Sequence, residues 1–496
     1  MLSPLIRRPR KNASNDANSK QRGVTLALVA VSLVALIAMA ALSIDVGTLY
    51  QAKAEAQRAA DAAALTAARL ISISGVTGDP NNPSSWQAVC GTGGTATLAA
   101  QAVAQSPPNF VGGAAPTAKV TYGPGAGVGD CSGLAGATSN FTVNPTVTVY
   151  VQQAKLPTFF ARVFSLVGGA SSNSGVSATA TAEVYNPSGS GTLASGMVPV
   201  WPRCVKPWIV PNSDPIHPTN TCTSATCYNF VQLLPPPANG TIPPASQGIS
   251  LGGVGTGVIG EIFNLVPDCS YAGGTCNSGL PFNTTAQPNV AGTTPPTLTP
   301  NLQYLPAYVQ NPSPAAPSCG AGNGDYQQAI AGCDNTTPYQ CGVKNDVATA
   351  PTQVNLNENP YGTAGDTFTA AQCLIHEAGA GAGNGQDVLV TDAFPFQIQA
   401  GSANPLTGVP GGSTISSSDS IVSLPIYDSG TALPAGQQQP AVTIIGFLQV
   451  FINWVNADGS LNVTVLNVAG CGNLSTIASP YVTGTSPVPI RLITPP

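Results

Sequence analysis

From Val24 to Ile44 the chain runs for 21 residues without a charge, a proline or a glycine. At 1.5 Å of rise per residue, a helix of that length spans about 30 Å, the thickness of a bilayer's hydrocarbon core. After Gly47 no Gly or Pro interrupts the sequence as far as Ile71, and half of residues 51–70 (QAKAEAQRAADAAALTAARL) are Ala, the strongest helix former. Glu55/Arg58 and Arg58/Asp61 stand three apart, where opposite charges meet on a helix surface. The pattern predicts a membrane helix that continues as a longer rod. The rod's small Ala-rich face suits either close packing of a helix or sheet, or an exposed spacer.

Two segments of period two follow. In 141–151, Phe141, Val143, Val147, Val149 and Val151 alternate with Thr142, Asn144, Thr146 and Thr148; in 176–184, Val176, Ala178, Ala180, Ala182 and Val184 alternate with Ser177, Thr179, Thr181 and Glu183. Both predict half-buried strands. Pro145, inside the first, marks that strand as bulged or as a sheet edge. Between them Pro157–Val167 (PTFFARVFSLV) predicts a short amphipathic helix, with Pro in its first turn and Gly168-Gly169 as its stop.

Beyond Pro187 the character changes. Residues 186–196 form a Ser/Gly linker, and 285–318 a Pro/Thr-rich connector without expected regular structure. Strands are predicted at Asp387–Thr391, Ile421–Tyr427, Val442–Val455 and Leu461–Val468, with a weaker edge strand at Met197–Trp201. Ala441–Val455 is the most apolar stretch after the N-terminal one, but about fifteen residues interrupted by Gly446 are too few for a second span. A buried strand joined to the next across Asn456-Ala457-Asp458-Gly459 fits it, because Asp-Gly favours a hairpin turn.

Charge fixes the expected orientation. Residues 1–22 carry Arg7, Arg8, Arg10, Lys11, Lys20 and Arg22 against Asp16 alone. A basic flank stays in the cytoplasm, so the rest of the chain is expected outside it. Ala38-Met39-Ala40 satisfies the rule for signal-peptide cleavage, yet the apolar run is longer than an ordinary signal core and helical sequence carries on past it. An uncleaved anchor is therefore expected. Only 7% of all residues are Asp, Glu, Lys or Arg, so no basic field exists for a phosphate backbone and nucleic acid is excluded as a partner. Gly and Pro, 54 and 46 of 496, favour turns and short strands.

The run Arg22-Gly23, the uncharged 21-mer, Asp45-Val46-Gly47-Thr48-Leu49-Tyr50 and Gln57-Arg58-Ala59-Ala60-Asp61-Ala62-Ala63-Ala64-Leu65 closely resembles the N-terminal region of TadG-like proteins. These belong to the TadE/TadG-like group of Tad (tight adherence, Flp-type) pilus assembly proteins. Pro157–Val163 and the strand at Val176–Val184 resemble the same group, so the likeness covers about 185 residues. It implies a single-pass inner-membrane protein of the pilus apparatus, partnered by the lipid bilayer and other Tad/Flp assembly proteins, with no catalytic residue to carry over. Two features depart from relatives. Lys20–Leu26 is similar to a prepilin cleavage site, but Leu28 stands where such sites need Glu. The Asp-x-Ser-x-Ser metal loop of some TadG-like proteins is missing; Asp419-Ser420-Ile421 and Asp428-Ser429-Gly430 both lack its spacing.

The twelve cysteines (90, 131, 204, 222, 227, 269, 276, 319, 333, 341, 373 and 471) all follow the anchor and suit disulfides in an oxidising compartment; Cys222/Cys227 and Cys269/Cys276 could close small loops. Chemical motifs are sparse. Cys373, His376 and Glu377 lack the spacing of a zinc set, and His217 is the only other histidine. Gly248-Ile249-Ser250-Leu251-Gly252 matches a hydrolase nucleophile elbow, and Gly255-Thr256-Gly257-Val258-Ile259-Gly260 a dinucleotide fingerprint. Neither sits in the strand–helix context its chemistry needs, and both read as glycine turns. Trp201, Trp208 and Trp454 could form a sugar-binding surface, but core positions are the simpler reading.

The expected fold class is α+β: a transmembrane helix (23–44) behind a basic tail (1–22), a helical stalk (45–72), a TadG-like α+β region (73–185), the 186–196 linker and a β-rich, disulfide-containing exported region (197–496). No catalytic, cofactor or metal residues are expected. The expected function is a non-catalytic component of Tad pilus assembly at the inner membrane, and the alternative a membrane-tethered binding or adhesin protein sharing the anchor.

Overall fold

A computed structural model of the chain describes residues 15–106, 115–136, 139–156, 175–185, 200–216, 233–234, 242, 246–255, 257–267, 301–312, 324–337, 339, 352–353, 363, 365–428, 441–471, 482–484 and 486–493. Two compact units divide it: Met1–Ala60 with Ala104–Ala118 and Tyr150–Ala178, and Asp61–Val103 with Lys119–Val149 and Thr179–Pro496. The expected helix at 157–167, the linker at 186–196 and the pairs Cys222/Cys227 and Cys269/Cys276 lie outside the described residues.

Helix α1 runs unbroken from Asn15 to Ser74. Where side chains are described, those from Val24 to Ile44 are all exposed, and Asp45 begins the buried part. Thereafter Ala52, Ala56, Ala59, Ala60, Ala63, Ala64, Ala67, Ala68 and Ile71 are buried. Their spacing of three, four and one is that of a single helix face, so the Ala-rich stretch is a packing face and not an exposed spacer. In the first unit, Lys53 Nζ donates to the Ser177 carbonyl.

In the second unit α1 leads through a 3₁₀ turn (Val76–Gly78) to α2 (Pro83–Cys90) and α3 (Thr95–Gln105). Asn82 caps α2 by accepting the Ser84 N–H at 3.2 Å, with Pro83 at the first helical position, where its missing N–H is not needed. Trp86 packs 5.3 Å from Phe141 between ring centroids, and the Tyr122 ring meets Phe141 edge-on at 6.5 Å. Tyr122 hydrogen-bonds Thr97 at 2.7 Å, and burial pushes its pKa up to about 12. A disulfide joins Cys90 to Cys131.

Strand β1 (Thr117–Tyr122) precedes a helical turn α4 (Asn140–Val143), β2 (Thr146–Gln153) and β3 (Val176–Val184). Two expectations change here. The alternation from Phe141 to Val143 is a helical turn, not strand, because hydroxyls win locally: Ser139 Oγ accepts the Phe141 N–H at 3.2 Å and Thr142 Oγ donates to Gly136 O at 2.6 Å. Nor is β2 an edge, since the sheet order is β1-β2-β3 with the last strand of the chain beyond. Pro145 stands just outside the ladder, and its carbonyl accepts the Val184 N–H at 2.8 Å.

The C-terminal region supplies β4 (Val200–Pro202), β5 (Trp208–Pro211), β6 (Ile262–Pro267), β7 (Asn301–Pro306), α5 (Asp325–Ala331), β8 (Thr352–Gln353) and α6 (Asp366–Leu374). Then come β9 (Val388–Val390), β10 (Gln397–Gln399), β11 (Thr414–Ile415), β12 (Ile421–Tyr427), β13 (Ala441–Val442), β14 (Ile444–Val455), β15 (Leu461–Gly470), β16 (Val482–Gly484) and β17 (Ile490–Ile493). Six of these strands close a barrel in the order β12-β14-β15-β6-β7-β5. The hairpin expected at Asn456–Gly459 is present, with Val455 opposite Leu461. By contrast, Asn301–Pro306, inside the supposedly irregular connector, is barrel strand β7, with Leu302 and Tyr304 in the core. Flanking prolines and threonines hid a six-residue alternation there.

Side chains of alternating phase fill the barrel: Val422, Leu424 and Ile426 from β12, Leu448, Val450 and Ile452 from β14, and Val463, Val465 and Val468 from β15. The step of three between Val465 and Val468 is a bulge, since Gln449 faces Asn467 while Val450 faces Val465. Helices α5 and α6 pack on each other, and the Thr367 hydroxyl lies 2.9 Å from that of Tyr304 and 3.2 Å from that of Tyr326. A second disulfide joins Cys204 to Cys333, and Cys373 and Cys471 are also disulfide-bonded. Mixed helix and strand, with a β-rich C-terminal region, is the observed class.

Candidate functional site

The feature with an evident physical task is α1. Among the described residues it is the one helix long and apolar enough to cross a membrane, and none of its described side chains from Val24 to Ile44 is buried. Of the 21 residues from Val24 to Ile44 all but Thr25, Ser32 and Ser43 are apolar, and a run of exposed apolar side chains that long would be untenable in water, which makes lipid its fitting surroundings.

The other end of the helix is seated in the barrel unit. A helix leaves its last four carbonyls without partners, and buried ones must find donors. Asn467 Nδ2 donates to Ser72 O at 3.1 Å, from the outer face of β15. Ser72 Oγ donates to Val488 O and lies 3.4 Å from Ser486 Oγ. Gly75 ends the helix in the left-handed conformation (φ 73°), where a Cβ would stand 2.4 Å from Leu466 O. Gly78 O then accepts the Gly248 N–H at 3.0 Å. The seat depends on the bulge in β15, which turns two successive side chains, Leu466 and Asn467, away from the barrel interior. Sequence reasoning missed Ser72, Asn467, Ser486 and Val488, because strict alternation over 461–468 puts Leu466 and Asn467 on opposite faces.

The residues singled out for chemistry do not converge. Ser250 is buried, and its Oγ donates to Gly257 O at 2.5 Å within a loop closed by the Ile249–Ile259 bridge. The fingerprint glycines belong to the same loop, with β6 following and not preceding them; a Cβ on Gly257 would lie 2.0 Å from the Gly248 backbone. Cys373 is held in a disulfide and is no metal ligand. His376, itself left-handed at φ 60°, pairs through Nε2 with Asp419 Oδ2 at 3.0 Å. Glu377 instead turns inward and accepts the Val455 N–H at 3.1 Å; burial pushes its pKa up to about 7, against the opposing pull of that hydrogen bond. Among the described residues no group of three or more His, Cys, Asp or Glu could hold a metal. Trp208 is core, its ring 6.2 Å from that of Tyr304, and Trp454 Nε1 donates to Asn456 Oδ1 at 2.8 Å. The Asp419 carboxylate is the one paired with His376, and the Asp428 backbone N–H donates to Thr443 O at 3.1 Å. His217 lies outside the described residues, as does the side chain of Trp201.

One buried cation went unremarked in the sequence. Lys206 Nζ donates to Ile330 O at 2.6 Å and Gly332 O at 2.5 Å, capping the C-terminal end of α5. Burial lowers its pKa to about 7, opposed by the negative charges of Asp419 and Asp334. An ammonium donating to two backbone carbonyls at a helix end is a structural arrangement.

Residues 23–70 match the family model described as Tad, putative Flp pilus-assembly TadE/G-like. Residues 23–70 are TadE/G-like, as their sequence led one to expect; the match does not extend over the rest of the 185 residues of the expected likeness. No curated protein and no solved structure matches the chain.

Proposed function

We propose that this protein is a single-pass, non-catalytic component of a Tad (Flp-type) pilus apparatus in the bacterial inner membrane. The observation that carries the reading is the match over residues 23–70, which takes in the membrane-length segment and most of the Ala-rich helix after it. In this reading residues 1–22 are a cytoplasmic tail and 23–44 span the bilayer. Residues 45–72 form a stalk, 73–185 a TadG-like α+β region, 186–196 a linker, and 197–496 the β-rich exported part. Six basic residues in the tail against one acid support that orientation. Disulfides at Cys90–Cys131 and Cys204–Cys333 fit an oxidising compartment. The partners are the lipid bilayer and other pilus assembly proteins, and no catalytic, cofactor or metal residues are assigned.

Deletion of the gene tests the reading. Loss of surface pili, restored by the full chain, is the expected result, together with co-purification of the chain with the pilus secretion ATPase and platform proteins. A wild-type pilus count in the deletion strain refutes it and favours a tethered adhesin. Alkaline phosphatase fused after Ser74 is expected to be active; an inactive fusion reverses the assigned orientation.

A further inference from the structure

Beside the seat of α1 lies a cavity of about 300 Å³, entirely within the second unit. Leu70 and Ile73 of α1 form one wall, Leu389 and Ile415 of the three-stranded sheet β9-β10-β11 another, with Phe396 and Leu466 between them, and the hollow opens to solvent beside Gln397, Thr414 and Ser416. No charged residue lines it; its polar members are Ser74, Thr95, Gln397, Thr414 and Ser416. That combination, apolar walls from several elements with a few polar groups and a volume of about 300 Å³ or more, is characteristic of sites for small apolar ligands. The bulge that aims Asn467 at the helix end also aims Leu466 into this hollow.

We propose that the cavity binds an uncharged, largely apolar small molecule, whose single polar group pairs with the Gln397 and Ser416 side chains. Its occupant bridges α1 and the three-stranded sheet, and so braces the seat of the anchor helix. A carboxylate or an ammonium is disfavoured, because the lining offers no counter-charge.

The test uses the full chain in lipid nanodiscs with a diazirine-bearing analogue of decan-1-ol as the probe. Labelling is expected on peptides containing Leu389–Ile398 or Thr414–Ile421, saturable and displaced by unlabelled decan-1-ol. Ile415→Trp and Leu389→Phe fill the cavity from two places on its wall. Each is expected to cut that labelling by about tenfold or more, as when a ring occupies the ligand's place. Unlabelled decan-1-ol should also raise the Tm of the unmodified protein and leave that of the filled variants unchanged, which separates filling from misfolding. Labelling confined to Val24–Ile44, or labelling of 389–421 that does not saturate or persists equally in both folded variants, overturns the proposal. Neither outcome bears on the pilus count, so this inference and the proposed function fail separately.

Discussion

Replacing Asn467 with Ala removes the donor that Ser72 O uses at 3.1 Å, at a residue with no solvent exposure. Water cannot take over, so the helix end is left with an orphaned buried carbonyl. An unsatisfied group of that kind costs about 1–3 kcal/mol, to which the lost side-chain volume adds. Asn467→Asp sharpens the test, since the shapes match but an ionised carboxylate can only accept. It would set a buried negative charge against a carbonyl oxygen, a change expected to cost about 3–5 kcal/mol at neutral pH. Below the pKa of the new carboxyl a proton restores one donor, and much of that loss should return. Thermal unfolding in detergent, followed by tryptophan fluorescence at pH 4.5 and pH 7.5, measures the difference. Hydrogen exchange over residues 68–78 locates it. If Asn467→Ala shifts stability by less than about 0.5 kcal/mol with unchanged protection of 68–78, the bond does not hold the helix and the seat is misassigned.

Further expectations concern other parts of the fold. Glu377 has an ordinary pKa of 4.5 and a folded value of about 7. The folded state therefore holds its proton longer, and stability falls as pH rises from about 4.5 to about 7. By linkage Glu377→Gln should match the parent below that window and exceed it above by roughly 1–3 kcal/mol, since solvent partly screens the carboxyl; equal pH profiles would contradict the assigned burial. Breaking the Cys90–Cys131 bond with paired Ser substitutions opens a loop of sequence separation 41 and should lower stability by about 2–4 kcal/mol, read as a lower Tm that reductant does not lower through the same bond. Gly75→Ala forces a Cβ into the left-handed conformation against Leu466 O, with a loss of about 2 kcal/mol or more and faster exchange at the helix end; an unchanged Tm would mean that the stop is not rigid there.

Much of the local structure was written in the sequence. An uncharged run from Val24 to Ile44 has few options but a helix in lipid, and ten alanines in the next stretch continue it, since both properties depend only on neighbouring residues. Strands with clean alternation, Val176–Val184 and Ile421–Tyr427, are observed with those bounds, and Asp458-Gly459 closes its hairpin. Tertiary structure decided the rest. Closure of six strands pairs β6 with β7 and β5 with β12 in parallel, contacts between distant segments that no local pattern encodes. Asn301–Pro306 became a strand because an unfilled position in that ring supplied partners which its proline-rich surroundings do not advertise. The bulge at Leu466 shifted the phase of β15 and aimed Asn467 at Ser72, 395 residues away in sequence. Periodicity fixes which faces are apolar, but the pairing of distant strands fixes where each face points, and the seat of the anchor helix belongs to the second kind of information.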